Sequence, residues 1–74
     1  MKIEITYCNT WNYLPRAASL ATKLLEKYGN LITELSLIPA NGGIFDITKN
    51  NTLIFSKKNE GRFPDFSEIV ILLD

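Results

Sequence analysis

Lys2-Ile3-Glu4-Ile5-Thr6-Tyr7 sets Ile3, Ile5 and Tyr7 on one side of an extended chain and Lys2, Glu4 and Thr6 on the other. A period of two that uses β-branched residues marks a half-buried strand. Its polar side predicts a sheet with one uncovered face, and therefore helices on the other face only. Directly downstream, Leu14, Ala17, Ala18, Ala21, Leu24, Leu25 and Tyr28 recur at helical spacing, with Arg16, Ser19, Lys23, Glu26 and Lys27 away from that stripe. Pro15 suits the first turn, where a missing N–H costs nothing, and Gly29 suits the stop. A helix over 13–28 is predicted.

Working outward, Leu35 and Leu37 alternate with Glu34 and Ser36, which predicts a second strand over 32–38. Strand, helix and strand with short joints make a right-handed parallel crossover. Pro39 to Gly43 is punctuated by proline, asparagine and two glycines and is expected to be a loop. Strands are predicted over 44–48 and 52–57, with Lys49-Asn50-Asn51 as the turn of an antiparallel hairpin, because asparagine tolerates positive φ. Residues 58–64 are polar and contain glycine, which predicts a surface loop. Asp65 stands three residues before Glu68, a capping-box spacing that favours a helix over 66–73, although Ile69-Val70-Ile71-Leu72-Leu73 also suits a strand. The expected order is β-α-β-β-β-α. A four-stranded mixed sheet with two helices on one face is a reduced thioredoxin-like α+β arrangement; a split ferredoxin-like fold needs another order.

The chain has 74 residues, which bounds it to one domain, 1–74. Hydrophobic residues make up 46% and charged ones 22%, enough apolar surface for a core. Eight basic residues balance eight acidic ones, and Lys57-Lys58 with Arg62 is too small a basic cluster for a nucleic-acid groove. With one cysteine and no histidine, an intramolecular disulfide and cysteine–histidine or serine–histidine catalysis are excluded within the chain, and a zinc site without imidazole and with at most one thiolate is argued against. Met1-Lys2-Ile3-Glu4 enters the strand pattern with no apolar segment before it, and the run 69–73 is too short to cross a bilayer. A cytoplasmic location is the resulting expectation, with no membrane partner and no metal.

Cys8 is the one residue with distinctive chemistry. It follows the first strand and precedes the long helix, where free N–H groups and the helix dipole stabilise thiolates. A lone cysteine at a strand end is also a common small hydrophobe of a core. The surrounding pattern adds information. Ile5-Thr6-Tyr7-Cys8-Asn9-Thr10-Trp11 resembles the opening of the selenoprotein W-like (Rdx) family, which carries Tyr-Cys-x-x-Cys or Tyr-Cys-x-x-selenocysteine there. Leu14-Pro15-Arg16-Ala17-Ala18 is similar to the family's Leu-x-Arg-Ala-Ala helix start. Gly42-Gly43-Ile44-Phe45-Asp46-Ile47 is similar to its Gly-Gly-x-Phe-Glu-Val strand. Leu53-Ile54-Phe55-Ser56-Lys57-Lys58 and Gly61-Arg62-Phe63-Pro64 resemble its last strand and the loop before the final helix. The resemblance implies a thioredoxin-like fold and thiol redox activity, with Cys8 as attacking thiol and glutathione or a protein thiol as partner. No resident cofactor is implied beyond glutathione as co-substrate.

Two departures qualify that expectation. Trp11 stands where the family has its second cysteine or selenocysteine, so no second thiol can attack a mixed disulfide and release it. Pro15 at the first helical position would start the helix seven residues past Cys8, beyond the useful reach of the dipole, whereas a start near Asn12 would restore part of it. Three roles remain. One is single-thiol chemistry, with Cys8 forming a mixed disulfide that an external thiol resolves and Arg16 turned toward the loop as thiolate stabiliser. Another is a redox-inert binding module with Trp11, Tyr13 and Phe63 as an aromatic patch. The last is association through the sheet face or a Cys8–Cys8 bridge, and the sequence leaves the oligomeric state open. Tyr13 and Phe63 also suit ordinary core packing, and Arg16 the solvated side of its helix. Trp11, at the loop tip, is the one expected to be exposed. Gly42 and Gly43 are read as backbone geometry, since no helix follows them to make a phosphate loop.

Overall fold

A computed structural model describes residues Met1–Asp74. The elements are β1 (Lys2–Cys8), α1 (Leu14–Tyr28), a 3₁₀ turn (Gly29–Leu31), β2 (Glu34–Ala40), β3 (Phe45–Lys49), β4 (Thr52–Ser56), α2 (Lys57–Glu60) and α3 (Phe66–Leu73). The sheet order is β2-β1-β3-β4, with β1 parallel to β2 and antiparallel to β3. This is the mixed four-stranded, thioredoxin-like α+β arrangement expected from the pattern of β1.

The alternation of β1 decides the layering. Ile3 and Ile5 are fully buried, and Ile47 (opposite Ile5) and Phe45 (opposite Tyr7) are buried with them. Ala17, Leu20, Ala21 and Leu24 of α1, and Ile69 and Leu73 of α3, close over this face. Lys2, Glu4 and Thr6 stay part-exposed on the other. At about 25 cal/mol per Å² of apolar surface removed from water, this one-sided core is the main source of stability. The apolar stripe of α1 is narrower than its spacing suggests: Leu14 and Leu25 are exposed at its margins.

Several boundaries differ from expectation, each for a local reason. β2 runs over 34–40 rather than 32–38, taking in Pro39 and Ala40 from the expected loop. Asn9 N–H donates to Ala40 O at 2.8 Å, so the polar backbone groups of Ala40 face β1 and those of Pro39 face outward. The missing N–H of Pro39 is therefore on the free edge, where the ladder needs no donor. The hairpin turn narrows to Asn50-Asn51, with φ values of 50° and 69°, as asparagine permits. Lys57, expected as the last residue of its strand, and Lys58–Glu60, expected as loop, form the single helical turn α2, closed by Gly61 in the left-handed region. Two long helices thus become two plus a short third. Residues 66–73 are helical, as the capping-box spacing favoured, with Glu68 accepting from Asp65 N–H at 2.9 Å. Lys49 Nζ donates to Leu73 O at 2.8 Å and neutralises the end of α3. No helix is long and apolar enough to cross a membrane.

Candidate functional site

The five residues Asn9–Tyr13 join the end of the central strand to the start of α1. Their path is set by hydrogen bonds from both ends. Cys8 N–H donates to Ile44 O at 2.8 Å, Tyr13 N–H returns to Cys8 O at 2.9 Å, and Asn12 N–H to Asn9 O at 3.0 Å. Asn12 adopts φ 56°, which lets the chain turn back without a glycine. Thr10 Oγ1 and Asn41 Oδ1 are 2.7 Å apart, tying this loop to the one after β2.

The loop folds over the sulfur. Cys8 is a free thiol with 0% of its surface exposed, as in the small-hydrophobe alternative for a cysteine at a strand end. Its alternation places it on the side of Glu4 and Thr6, and it lies outside the main apolar cluster beneath the helices. The peptide N–H of Trp11 donates to Cys8 Sγ at 3.3 Å. The helix that was expected to support the thiol starts at Leu14, six positions on, with Pro15 in its first turn and no side-chain cap. The polar contact to sulfur thus comes from the loop backbone at Trp11.

Trp11 itself is 60% exposed and seats part of its indole against Gly43. A Cβ built on Gly43 would stand 2.6 Å from indole Cζ3, and Gly43 has φ 73°, so a side chain there is excluded on both counts. Gly42 likewise has φ 78°, consistent with a backbone role for the pair. From Trp11 an edge-to-face series runs inward. Ring centroids are 6.1 Å apart for Trp11 and Tyr13, 4.8 Å for Tyr13 and Phe63, and 5.4 Å for Phe63 and Phe45. Such pairs contribute about 0.5–1.5 kcal/mol each beyond area burial. Tyr13 and Phe63 are half-buried, so they pack against the core and still reach the surface.

Cations sit on this series. The Arg16 guanidinium carbon lies 4.1 Å over the Phe63 ring, and Lys57 Nζ lies 5.2 Å from Phe63 and 5.6 Å from Tyr13. Arg16 is therefore stacked on an aromatic face, not turned to Cys8 as a thiolate stabiliser, and the sulfur's contact is with Trp11 N–H. Phe63 is held by the next pair along. Arg62 makes a two-point contact with Glu68, Nη1 to Oε1 at 2.6 Å and Nη2 to Oε2 at 2.9 Å. That contact, with the Asp65 N–H, brings the Glu68 carboxyl down from its usual 4.5 to about 2. No three His, Cys, Asp or Glu side chains gather to hold a metal ion.

The Rdx family model matches residues 2–74. The chain belongs to the Rdx family. No curated protein matches this Rdx chain. Among solved structures it is similar to a protein from Bordetella parapertussis, at 32% identity and a TM-score of 0.94, over 97% of this chain and 91% of that one. It is also similar to a selenoprotein W-related protein from Vibrio cholerae, at 35% identity and a TM-score of 0.92, over 96% and 89%.

Sequence reasoning picked out Cys8, Trp11, Tyr13, Arg16 and Phe63. The structure links the last four in one surface array and sets Cys8 beneath its edge. It also adds parts that sequence reasoning missed. Gly43 is the seat of the indole, and Asn41 the tether of the loop. Lys57, noted in the sequence as part of a small basic cluster, sits on the aromatic series. Asp46, opposite Thr6 on the sheet side of Cys8, keeps a buried carboxylate oxygen with no hydrogen-bond partner. The two glycines after Asn41 were the available signal for the seat, but only the fold shows which ring approaches.

Proposed function

We propose that this Rdx protein is a one-thiol exchange domain whose Cys8 is masked at rest and is uncovered when a protein partner engages the exposed Trp11 side of the loop. The observation that carries the reading is a single residue with two contacts: the Trp11 backbone sits on the sulfur while its indole lies outside on Gly43. Lifting the indole frees the peptide that covers Cys8. Family membership and the position of Cys8 between strand and helix support the thiol part.

The chemistry is disulfide exchange. The Cys8 thiol gives its proton to solvent and the thiolate attacks one sulfur of a partner's disulfide or of oxidised glutathione. A bond forms from Cys8 Sγ to that sulfur, the original S–S bond breaks, and the second sulfur leaves as a thiolate that is then protonated. An external thiol such as glutathione attacks the mixed disulfide, takes the bound group as a new disulfide and returns Cys8. Trp11 occupies the position of the family's second thiol, so release has to come from outside.

The test is alkylation of Cys8 in folded protein, with glutathionylation by oxidised glutathione against a Cys8→Ser control. The expected result is slow modification of the wild type, faster than global unfolding, and marked acceleration when Trp11 is truncated. If Cys8 reacts only at the rate of unfolding in both proteins, thiol exchange is not its work. The complete burial of the sulfur favours a second reading in that case, a non-catalytic binding module using the same aromatic face. Its mark is partner binding that survives both reductant and Cys8→Ser but not Trp11→Ala.

A further inference from the structure

A groove of about 160 Å³ opens between α1 and the segment leading into α3. Arg16, Ser19 and Lys23 line one wall, Phe63 and Phe66 the other, with Phe45 also in the lining. It is separate from Cys8. Its volume is close to that of a cavity that accepts a benzene ring, so it holds one aliphatic or aromatic side chain and no large ligand.

Its charge is one-sided. No carboxylate lines it. The only ion pairs in the molecule are Lys2–Glu4 and Arg62–Glu68, so Arg16 and Lys23 have no acidic partner, although acidic and basic residues are equal in number. Lys57 continues the positive charge around Phe63. Arg16 and Lys23 stand two helical turns apart on one face of α1, about 10 Å along the axis. In an extended peptide, side chains at i and i+4 project from one face about 13 Å apart, with i+2 between them. The long, flexible side chain of Lys23 takes up the difference.

We infer that this groove docks an extended acidic segment of a protein partner, of the pattern acidic-x-apolar-x-acidic. The apolar side chain enters between Phe45, Phe63 and Phe66, and the two carboxylates meet Arg16 and Lys23. Arg16 is already held flat on Phe63, so little side-chain freedom is lost on binding. The guanidinium keeps its N–H donors for a carboxylate.

The experiment is a titration of ¹⁵N-labelled protein with acetyl-Ser-Glu-Ser-Phe-Ser-Glu-Ser-amide, alongside a version with both Glu changed to Lys and a version with Phe changed to Ser. Saturable amide shifts are expected around Arg16, Ser19, Lys23, Phe63 and Phe66, with a dissociation constant on the order of 0.1–1 mM. The Lys version is expected to be silent, and the Ser version at least fivefold weaker. Arg16→Gln and Lys23→Gln, both exposed and expected to fold, each weaken binding threefold or more, and raising salt weakens it further. Shifts that do not saturate, that fall elsewhere, or that persist with the Lys version overturn the assignment. The peptides contain no sulfur, so failure here leaves the exchange reading of Cys8 standing, and failure of that reading leaves the groove standing.

Discussion

On its inner side the loop Asn9–Tyr13 covers a sulfur with no exposed surface; on its outer side it carries an indole that is 60% exposed, beside stacked rings and unpaired cations. The inner side is fixed by backbone hydrogen bonds and the outer side by side-chain faces. The difference separates reactivity from recognition. What meets a partner first is the aromatic and cationic surface, and the thiol lies one layer beneath it. Trp11 contacts the sulfur itself with its backbone and the outer face with its indole, so it is where the separation can be broken.

The largest effect is expected from Trp11→Ala. It removes a part-buried indole and one edge-to-face pair, together worth about 1–3 kcal/mol of loop closure. Cys8 alkylation in the folded protein should rise roughly ten- to a hundredfold, since each 1.4 kcal/mol is a factor of ten. An unchanged rate would mean that the two sides of the loop are independent. Gly43→Ala should act in the same direction through the opposite partner. Its Cβ would collide with the indole and its φ of 73° is strained for alanine, so stability should fall by about 1–2 kcal/mol and alkylation rise several-fold. Chemical denaturation and the same alkylation assay measure both.

Acid should loosen the outer side. The Glu68 carboxyl is held down to about 2 from 4.5 by Arg62 and the Asp65 N–H. A lowered carboxyl stabilises the fold above its ordinary value and loses that contribution as pH falls through 4.5 toward 2. In the folded protein the amides around Phe63 should shift near pH 2, where Glu68 takes up its proton, and Glu68→Gln should remove that step. The smallest effect is expected from Arg16→Gln. Because Arg16 stacks on Phe63, Cys8 alkylation should change by less than about twofold, as measured on the folded variant; a larger drop would return Arg16 to the thiol.

Most of the fold was legible because period two in Lys2–Tyr7 and the helical stripe in 13–28 report burial directly. The element order and the one-sided core follow from those two stretches. What was missed was not encoded in a period. Lys57-Lys58-Asn59-Glu60 has no apolar residue to repeat, so a single helical turn closed by Gly61 looks like loop. Pro39 reads as a breaker until the strand is known to be at the edge. The burial of Cys8 depends on Asn12 taking a left-handed conformation and on the direction of one peptide N–H, neither of which a residue pattern specifies. The aromatic array was visible as residue types, but only the packing of the segment 61–64 back onto α1 shows that Arg16 belongs to Phe63.

Pro39 has a bearing on crowding as well as on strand length. A bare sheet margin offers a row of donors on which another chain can build, and such growth ends in fibres or swapped dimers. With its nitrogen blocked and its backbone turned outward, Pro39 interrupts that row near the end of β2. The margin of the sheet that ends beside the cysteine thereby has one donor fewer for lateral pairing.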